Sequence, residues 1–317
     1  MADEIILHQY DASPFSEKVR VVLGIKNLTW RSCIQPVIMP KPDLIALTGG
    51  YRKIPVMQIG ADIWCDSRGI INELERRFPS PKGKGIASLG LGLGNAVTVW
   101  SDRTLFGLTL PIIFGAGTNA ALGDDPAFAE AFAKDRAELS GGNMAWAPEQ
   151  MASAIPLSKV ALRAHLHGIE QQLSDGRKFL AGDEPSLADA SAYYILDFVG
   201  FVMAGKPTFS DHKNIEEWRK RVKAIGHGKR SEISREETVA IANAAKPMAP
   251  LPSVEDDPLG FKLGQRVVVA ADDYGRNPME GTLTSLGIDH VTIVRNDPRT
   301  GDVALHFPRF GFTITAA

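Results

Sequence analysis

The spacing of apolar residues changes character twice along this chain. Up to about residue 80 it alternates between short runs and helical periods. Ile5-Ile6-Leu7 reads as a buried strand, and Ser13-Pro14 then opens a helix with Phe15, Val19, Val22 and Leu23 at helical spacing. Thr29–Ile34 reads as a second strand. A loop with Pro36, Pro40 and Pro42 leads into a short helix near 43–47. Val56–Ile59 and 63–65 form an expected hairpin across Gly60-Ala61-Asp62, and a helix runs from Ser67 to about Phe78, where Pro79-Ser80-Pro81 ends it. The order β-α-β-α-β-β-α is a compact mixed domain over 1–82.

From about residue 86 the period is helical throughout. Helices are expected over 95–114, 126–140, 156–174, 187–203, 214–225 and 235–245, and Gly176, Gly182-Asp183 and Gly226-His227-Gly228 mark loops between them. The glycine run at 83–94 reads as a linker or a loosely built helix start. This gives an all-helical domain over 86–246. At 247–258 prolines and acids among small residues read as an exposed linker. Beyond it the period becomes alternating, with strands expected over 266–270, 281–286, 290–295, 302–307 and 312–315. So many short strands within 259–317 predict a small all-β barrel, SH3-like in strand count.

Composition narrows the functional classes. The 317 residues are 44% hydrophobic and 23% charged, ordinary for a globular protein, which excludes disorder as the main description. A net charge of −2 gives no electrostatic case for a nucleic-acid or anionic-membrane partner. The uncharged stretch 104–123 contains Pro111, Asn119 and several glycines, and reads as a buried helix rather than a membrane span. Cys33 and Cys65 cannot build a disulfide framework or a cysteine zinc site. With an acidic start in place of a signal peptide, the expected compartment is the cytoplasm. His165 and His167 do not share a helix face, so no metal site is expected.

Three short segments carry candidate chemistry, and each also has a purely structural explanation. In Tyr10-Asp11-Ala12-Ser13-Pro14-Phe15-Ser16-Glu17-Lys18-Val19-Arg20, Ser13 is a natural N-cap and Pro14 fits the first helical turn. The same geometry offers free N–H groups, a positive dipole end and a hydroxyl to a thiolate held in front of it. In Arg52-Lys53-Ile54-Pro55-Val56, Pro55 is either an edge-strand proline or the site of a cis bond turning backbone toward a ligand. At Asp66-Ser67, Ser67 is either only an N-cap, or the pair receives an amino-acid head, with the carboxylate on Ser67 and helix amides and the ammonium on Asp66.

Taken together and in this order, the three segments resemble the glutathione transferase family. The matches are Ser13-Pro14-Phe15-Ser16 with Lys18-Val19-Arg20, then Lys53-Ile54-Pro55-Val56, then Asp66-Ser67-Arg68-Gly69-Ile70. Ser-Pro-Phe looks most like the serine-type classes. Asp66 stands where the family commonly has Glu or Gln. Phe179-Leu180-Ala181-Gly182-Asp183 with Pro185-Ser186-Leu187-Ala188-Asp189-Ala190 resembles the family's buried helix start, with Ser186 and Asp189 spaced as a capping box. The resemblance covers roughly 4–245.

It implies a thioredoxin-like α/β domain followed by an all-helical bundle domain, a homodimer, and glutathione as co-substrate. Ser13 would hold the glutathione thiolate, with Tyr10 the alternative hydroxyl. Ile54 and Pro55 would meet the cysteinyl unit, Asp66 and Ser67 the γ-glutamyl head, and Lys53 the glycyl carboxylate. An electrophilic small molecule would sit between the domains, near Phe15, Trp100 and Phe106. The alternative is a transferase-fold binding or scaffold protein that uses its C-terminal strands for protein contacts. From Pro258 onward six Arg/Lys balance six Asp/Glu, so nucleic acid is not the expected partner. His306-Phe307-Pro308-Arg309-Phe310 packs on the helical domain or meets a partner.

Overall fold

The computed structural model describes residues 4–115, 125–141, 148–202 and 211–317. The final residues of the uncharged stretch, 116–123, lie outside these. The N-terminal part forms β1 (Ile6–Gln9), α1 (Pro14–Ile25), β2 (Thr29–Ile34), α2 (Pro42–Thr48), β3 (Val56–Ile59), β4 (Asp62–Cys65) and α3 (Ser67–Arg77). β1 pairs parallel to β2 and antiparallel to β3, and β3 pairs antiparallel to β4. Ser13 caps α1 by accepting the Ser16 N–H at 3.2 Å. α1 buries Val19, Val22 and Leu23 in a core with Leu7, Met57, Ile70 and Leu74.

The helical part follows as α4 (Leu91–Val99), a π-helical segment (Trp100–Leu105), α5 (Phe106–Phe114), α6 (Pro126–Leu139), α7 (Pro148–Leu173), α8 (Leu187–Val202) and α9 (Lys213–Ile225). α8 shares the first core with α1 through Tyr193, Tyr194 and Leu196, and Trp218 of α9 lies in it too. The Asp189 carboxylate organises the start of α8. One oxygen accepts the Ser186 N–H (2.8 Å) and hydroxyl (2.6 Å), and the other accepts the Leu180 N–H and the Trp218 indole N–H, both at 2.8 Å. The Ser186 oxygen accepts the Asp189 N–H in return, at 3.4 Å. The region is not helical throughout. After α9, β5 (Lys229–Glu232) runs parallel to β2 before α10 (Arg235–Ala244) begins. β5 is exposed at every position, so no apolar alternation announces it.

The C-terminal strands are β6 (Arg266–Ala271), β7 (Met279–Leu286), β8 (His290–Asp297), β9 (Gly301–Pro308) and β10 (Phe312–Ala316). They do not close into a separate small barrel. One sheet runs β10-β6-β7-β8-β9-β4-β3-β1-β2-β5. The outer edge of β9 is taken by β4, in parallel register Asp62↔Ala304, Ile63↔Leu305, Trp64↔His306. A closed barrel would need that edge for itself. Val267, Val269, Met279, Ile293 and Leu305 instead share a second core with Leu44, Leu47, Tyr51 and Ile63 of the N-terminal part. The β4–β9 seam is tied by one buried carboxylate. Asp62 Oδ1 lies 2.8 Å from His306 Nε2, and its Oδ2 accepts the Met248 N–H at 2.9 Å. His306 stacks on Trp64, with ring centroids 4.6 Å apart. No helix among the described residues is long and apolar enough to cross a membrane.

Two predictions concern this framework. Asp62→Ala leaves His306 Nε2 and the Met248 N–H without their partner, while His306 Nδ1 keeps Thr292, and lowers unfolding free energy by about 3 kcal/mol, read from urea titration. His8 is buried between Gln58 (2.9 Å) and Gln35 (3.1 Å), and burial depresses its pKa from 6.5 to about 4. The unfolded chain therefore binds the extra proton first. Between pH 6.5 and 4 stability falls as pH falls, by about 3 kcal/mol from this group. In His8→Gln that component of the pH slope disappears.

Candidate functional site

Two adjoining cavities lie where α1, β3, α3 and the π-helical segment meet. The first is polar, spans about 530 Å³ including space open to solvent, and is lined by Ile54, Pro55, Asp66, Ser67 and Arg68 together with Asp102 and Arg103. The second, of about 1030 Å³, is mostly apolar and includes Tyr10, Ser13, Phe106, Leu110, Phe128 and Phe198. Phe15, Lys53, Ile54 and Tyr274 line both and so join them. Trp100 lines neither. Its ring stands edge-on to His165, at 5.6 Å.

The opening of α1 faces the apolar cleft. Because the Ser13 oxygen accepts the Ser16 N–H, its own proton is left to donate elsewhere. Tyr10 stands beside it. Burial raises the Tyr10 pKa, against the lowering influence of Arg136 and of a hydrogen bond with Ser13, so the phenol stays protonated and able to donate. The surrounding charge is positive. Lys41, Arg52 and Arg136 all line the cleft, and Asp135 pairs with both arginines. Burial, reinforced by Arg136, depresses the Lys41 ammonium to about 8. Nothing in the spacing of Lys41 or Arg136 distinguishes them from solvated surface cations, so sequence reasoning missed both.

The polar cavity is built on the start of α3. Asp66 occupies its N-cap with φ of +76°, a region costly for a residue with a side chain, and its Oδ1 accepts the Arg68 N–H at 2.8 Å. Ser67 is buried beside it. The Ile54–Pro55 bond is cis. Arg68 was visible in the Asp66-Ser67-Arg68 run, yet its role appears only in three dimensions. It is 9% exposed and makes no ion pair with a described carboxylate, and its Nε has no hydrogen-bond partner. Its Nη1 donates to the Phe310 carbonyl at 2.9 Å, and the guanidinium lies 4.6 Å from the Phe310 ring centroid. A buried, uncompensated guanidinium in a polar cavity is poised for an anion.

Beneath both cavities Lys18 is wholly buried and reaches both Asp102 oxygens at 2.7 Å, while the Tyr194 hydroxyl donates to Oδ1 at 2.8 Å. The ammonium also lies over the rings of Phe15 and Tyr194. The π-helical turn delivers Asp102 and Arg103 to this place, in keeping with the usual location of such turns. The C-terminal strands supply the remaining wall: Asp273, Tyr274, Phe310 and Gly311 all line the polar cavity.

No three metal-binding side chains cluster among the described residues. Burial pushes the Cys33 thiol up to about 11 and the Cys65 thiol well above its ordinary value. Both thiols are therefore expected to resist an aromatic disulfide reagent in the native protein at pH 8 and to react once it is denatured. Stoichiometric labelling of the native protein at either position would contradict that burial.

Residues 7–82 match the family model described as glutathione S-transferase, N-terminal domain, and residues 145–221 match that of the C-terminal domain. No match was found among the curated proteins. Among solved structures, a GST-like protein from Pseudomonas syringae is 34% identical over 100% of both chains, with a TM-score of 0.78. A glutathione S-transferase from Methylobacillus flagellatus with glutathione bound is 17% identical, covering 70% of this chain and 99% of that one, at 0.50. Human glutathione transferase theta-2, in complex with glutathione and an unknown ligand, is 17% identical, covering 70% and 82%, at 0.51. The last two share the fold. The similarity to the Pseudomonas protein runs on through the C-terminal strands.

Proposed function

This chain belongs to the glutathione S-transferase family, and we propose that it is a serine-type member that binds glutathione and transfers its thiolate to an electrophilic small molecule in the apolar cleft. The observation that carries the reading is the junction of the two cavities. An amino-acid receptor and an anion-favouring helix start open onto the same space, joined through Phe15 and Ile54.

In this reading the γ-glutamyl ammonium meets Asp66, and its carboxylate meets Ser67, the first amides of α3 and Arg68. The residues fit such a head, because the Arg68 Nε is an orphaned buried donor at that place. The Ile54 backbone pairs with the cysteinyl unit. Ser13 donates a hydrogen bond to the sulfur, the positive end of α1 and the cations of the cleft favour the negative charge, and Tyr10 is the second hydroxyl within the site. Holding sulfur and electrophile in adjoining cavities then supplies proximity. Phe15 and Phe106, whose rings meet edge-on at 4.8 Å, form part of the acceptor wall. A homodimer, which the family resemblance implies, would have to leave β4 alone, since β3 and β9 already use its two edges. A cytoplasmic setting suits a tripeptide thiol kept reduced.

One observation favours the scaffold reading instead: C-terminal residues stand in the polar cavity and already engage Lys53. Conjugation of glutathione to an aryl halide separates the two. Ser13→Ala is expected to lower kcat/KM by about tenfold or more and Tyr10→Phe by much less. Full turnover in Ser13→Ala with loss in Tyr10→Phe moves the role to Tyr10. Glutathione uptake without turnover in the unaltered protein favours the scaffold.

A further inference from the structure

The polar cavity carries charge unevenly. At one end Arg68 has no carboxylate partner among the described residues. At the other, the Lys53 Nζ donates to Asp273 Oδ1 at 2.9 Å and to the Tyr274 carbonyl at 3.0 Å. It also lies over the rings of Tyr274, Tyr51 and Phe312, with centroids at 4.7, 5.6 and 6.0 Å. An ammonium has three donors. Two are spent within one turn of the C-terminal strands, and the charge is already neutralised.

That turn is held from several sides. Arg103 pairs with Asp272. Arg276 donates to the Asp273 and Asp272 carbonyls at 2.9 and 2.8 Å. The Gly275 N–H donates to the Leu139 carbonyl at 2.7 Å. Gly275 has φ of +63°, and a Cβ there would come within 2.9 Å of the Leu139 side chain and 3.2 Å of the Lys53 side chain. Asp273 is thus set in place by the β6–β7 connection, on a chain region outside the two matched family domains.

A ligand with a free carboxylate at the Lys53 end would have to displace Asp273, or lie beside a second negative charge. A ligand without one meets no such penalty. We propose that Asp273 is a specificity-determining residue, and that the site prefers γ-glutamyl thiol peptides whose C-terminal carboxylate is masked, as an ester or amide, over glutathione itself. This rests on the reading of the cavity as a γ-glutamyl thiol site.

Calorimetric titration of the full chain with glutathione and with its glycyl monoethyl ester tests it, in the unaltered protein and in Asp273→Asn. Asparagine keeps the Oδ1 acceptor and removes the charge, and matched melting temperatures establish that the turn is retained. The unaltered protein is expected to bind the ester about threefold or more tightly than glutathione. Asp273→Asn is expected to tighten glutathione about tenfold, leave the ester unchanged and so reverse the preference. Binding of both ligands with the same affinity ratio in the two proteins overturns the assignment of Asp273 while leaving the γ-glutamyl reading intact. Absence of binding by both ligands to both proteins overturns that parent reading and this proposal with it.

Discussion

The pairing of β9 with β4 is the constraint on which the rest of this molecule turns. Its cause is local and chemical. Trp64 and His306 stack across the seam, and the Asp62 carboxylate reaches one strand through His306 and the incoming chain through Met248. A strand edge left open invites pairing, and here the chain's own C-terminal part takes it. Once β9 is fixed, the antiparallel ladders through β8, β7, β6 and β10 carry the sheet onward. The turn before β7 and the turn before β10 then fall over the start of α3. The polar cavity has its present shape because of a contact made between strands far from Ser13 in sequence.

A second constraint joins the N-terminal domain to the helices. Lys18 and Asp102 are both nearly removed from water, where a charge pair is tolerated only with close geometry and further hydrogen bonds. Two contacts at 2.7 Å, the Tyr194 hydroxyl and two aromatic faces meet that requirement. The pair is therefore poor evidence for stability and good evidence for register. It fixes the π-helical turn against α1, and that turn brings Arg103 to the C-terminal turn at Asp272. The junction of the cavities thus depends on contacts from three parts of the chain at once.

Much of this was legible in the residue pattern, for identifiable reasons. β1 to α3 announce themselves because each buried face repeats with its own period and because Ser13, Pro14 and Pro79-Ser80-Pro81 punctuate the helices. The five C-terminal strands were equally visible through alternation, yet their association was not. Alternation identifies strands and says nothing about which edge finds which partner, and the choice of β4 over closure lies in Asp62, Trp64 and His306 acting across a long separation. β5 was invisible because Lys-Arg-Ser-Glu has no apolar face to repeat. At the site, Ser13 and Asp66-Ser67 stood out because cap residues have a sequence signature. Arg68, Lys41, Arg136, Asp273 and Tyr274 did not, since what distinguishes each is the company it keeps in the fold.

The charge arrangement also bears on how a hydroxyl can hold a thiolate without a general base. In the proposed reading Ser13 donates a single hydrogen bond to the sulfur, worth little alone in water. Here the hydroxyl is oriented by the Ser16 amide, lies at the positive end of α1, and shares its cleft with Lys41, Arg52 and Arg136, the two arginines being paired with Asp135. Each element favours negative charge at one place, and each is in position before any ligand arrives, so little reorganisation is needed. The Lys41 ammonium is depressed chiefly by burial, with Arg136 and Arg52 adding to that effect and Asp135 opposing it. The polar cavity is built on the opposite principle, with near-balanced charge and one guanidinium, that of Arg68, in no ion pair among the described residues. In the proposed reading the two cavities divide the work between them, one receiving a zwitterionic head and the other a lone negative charge.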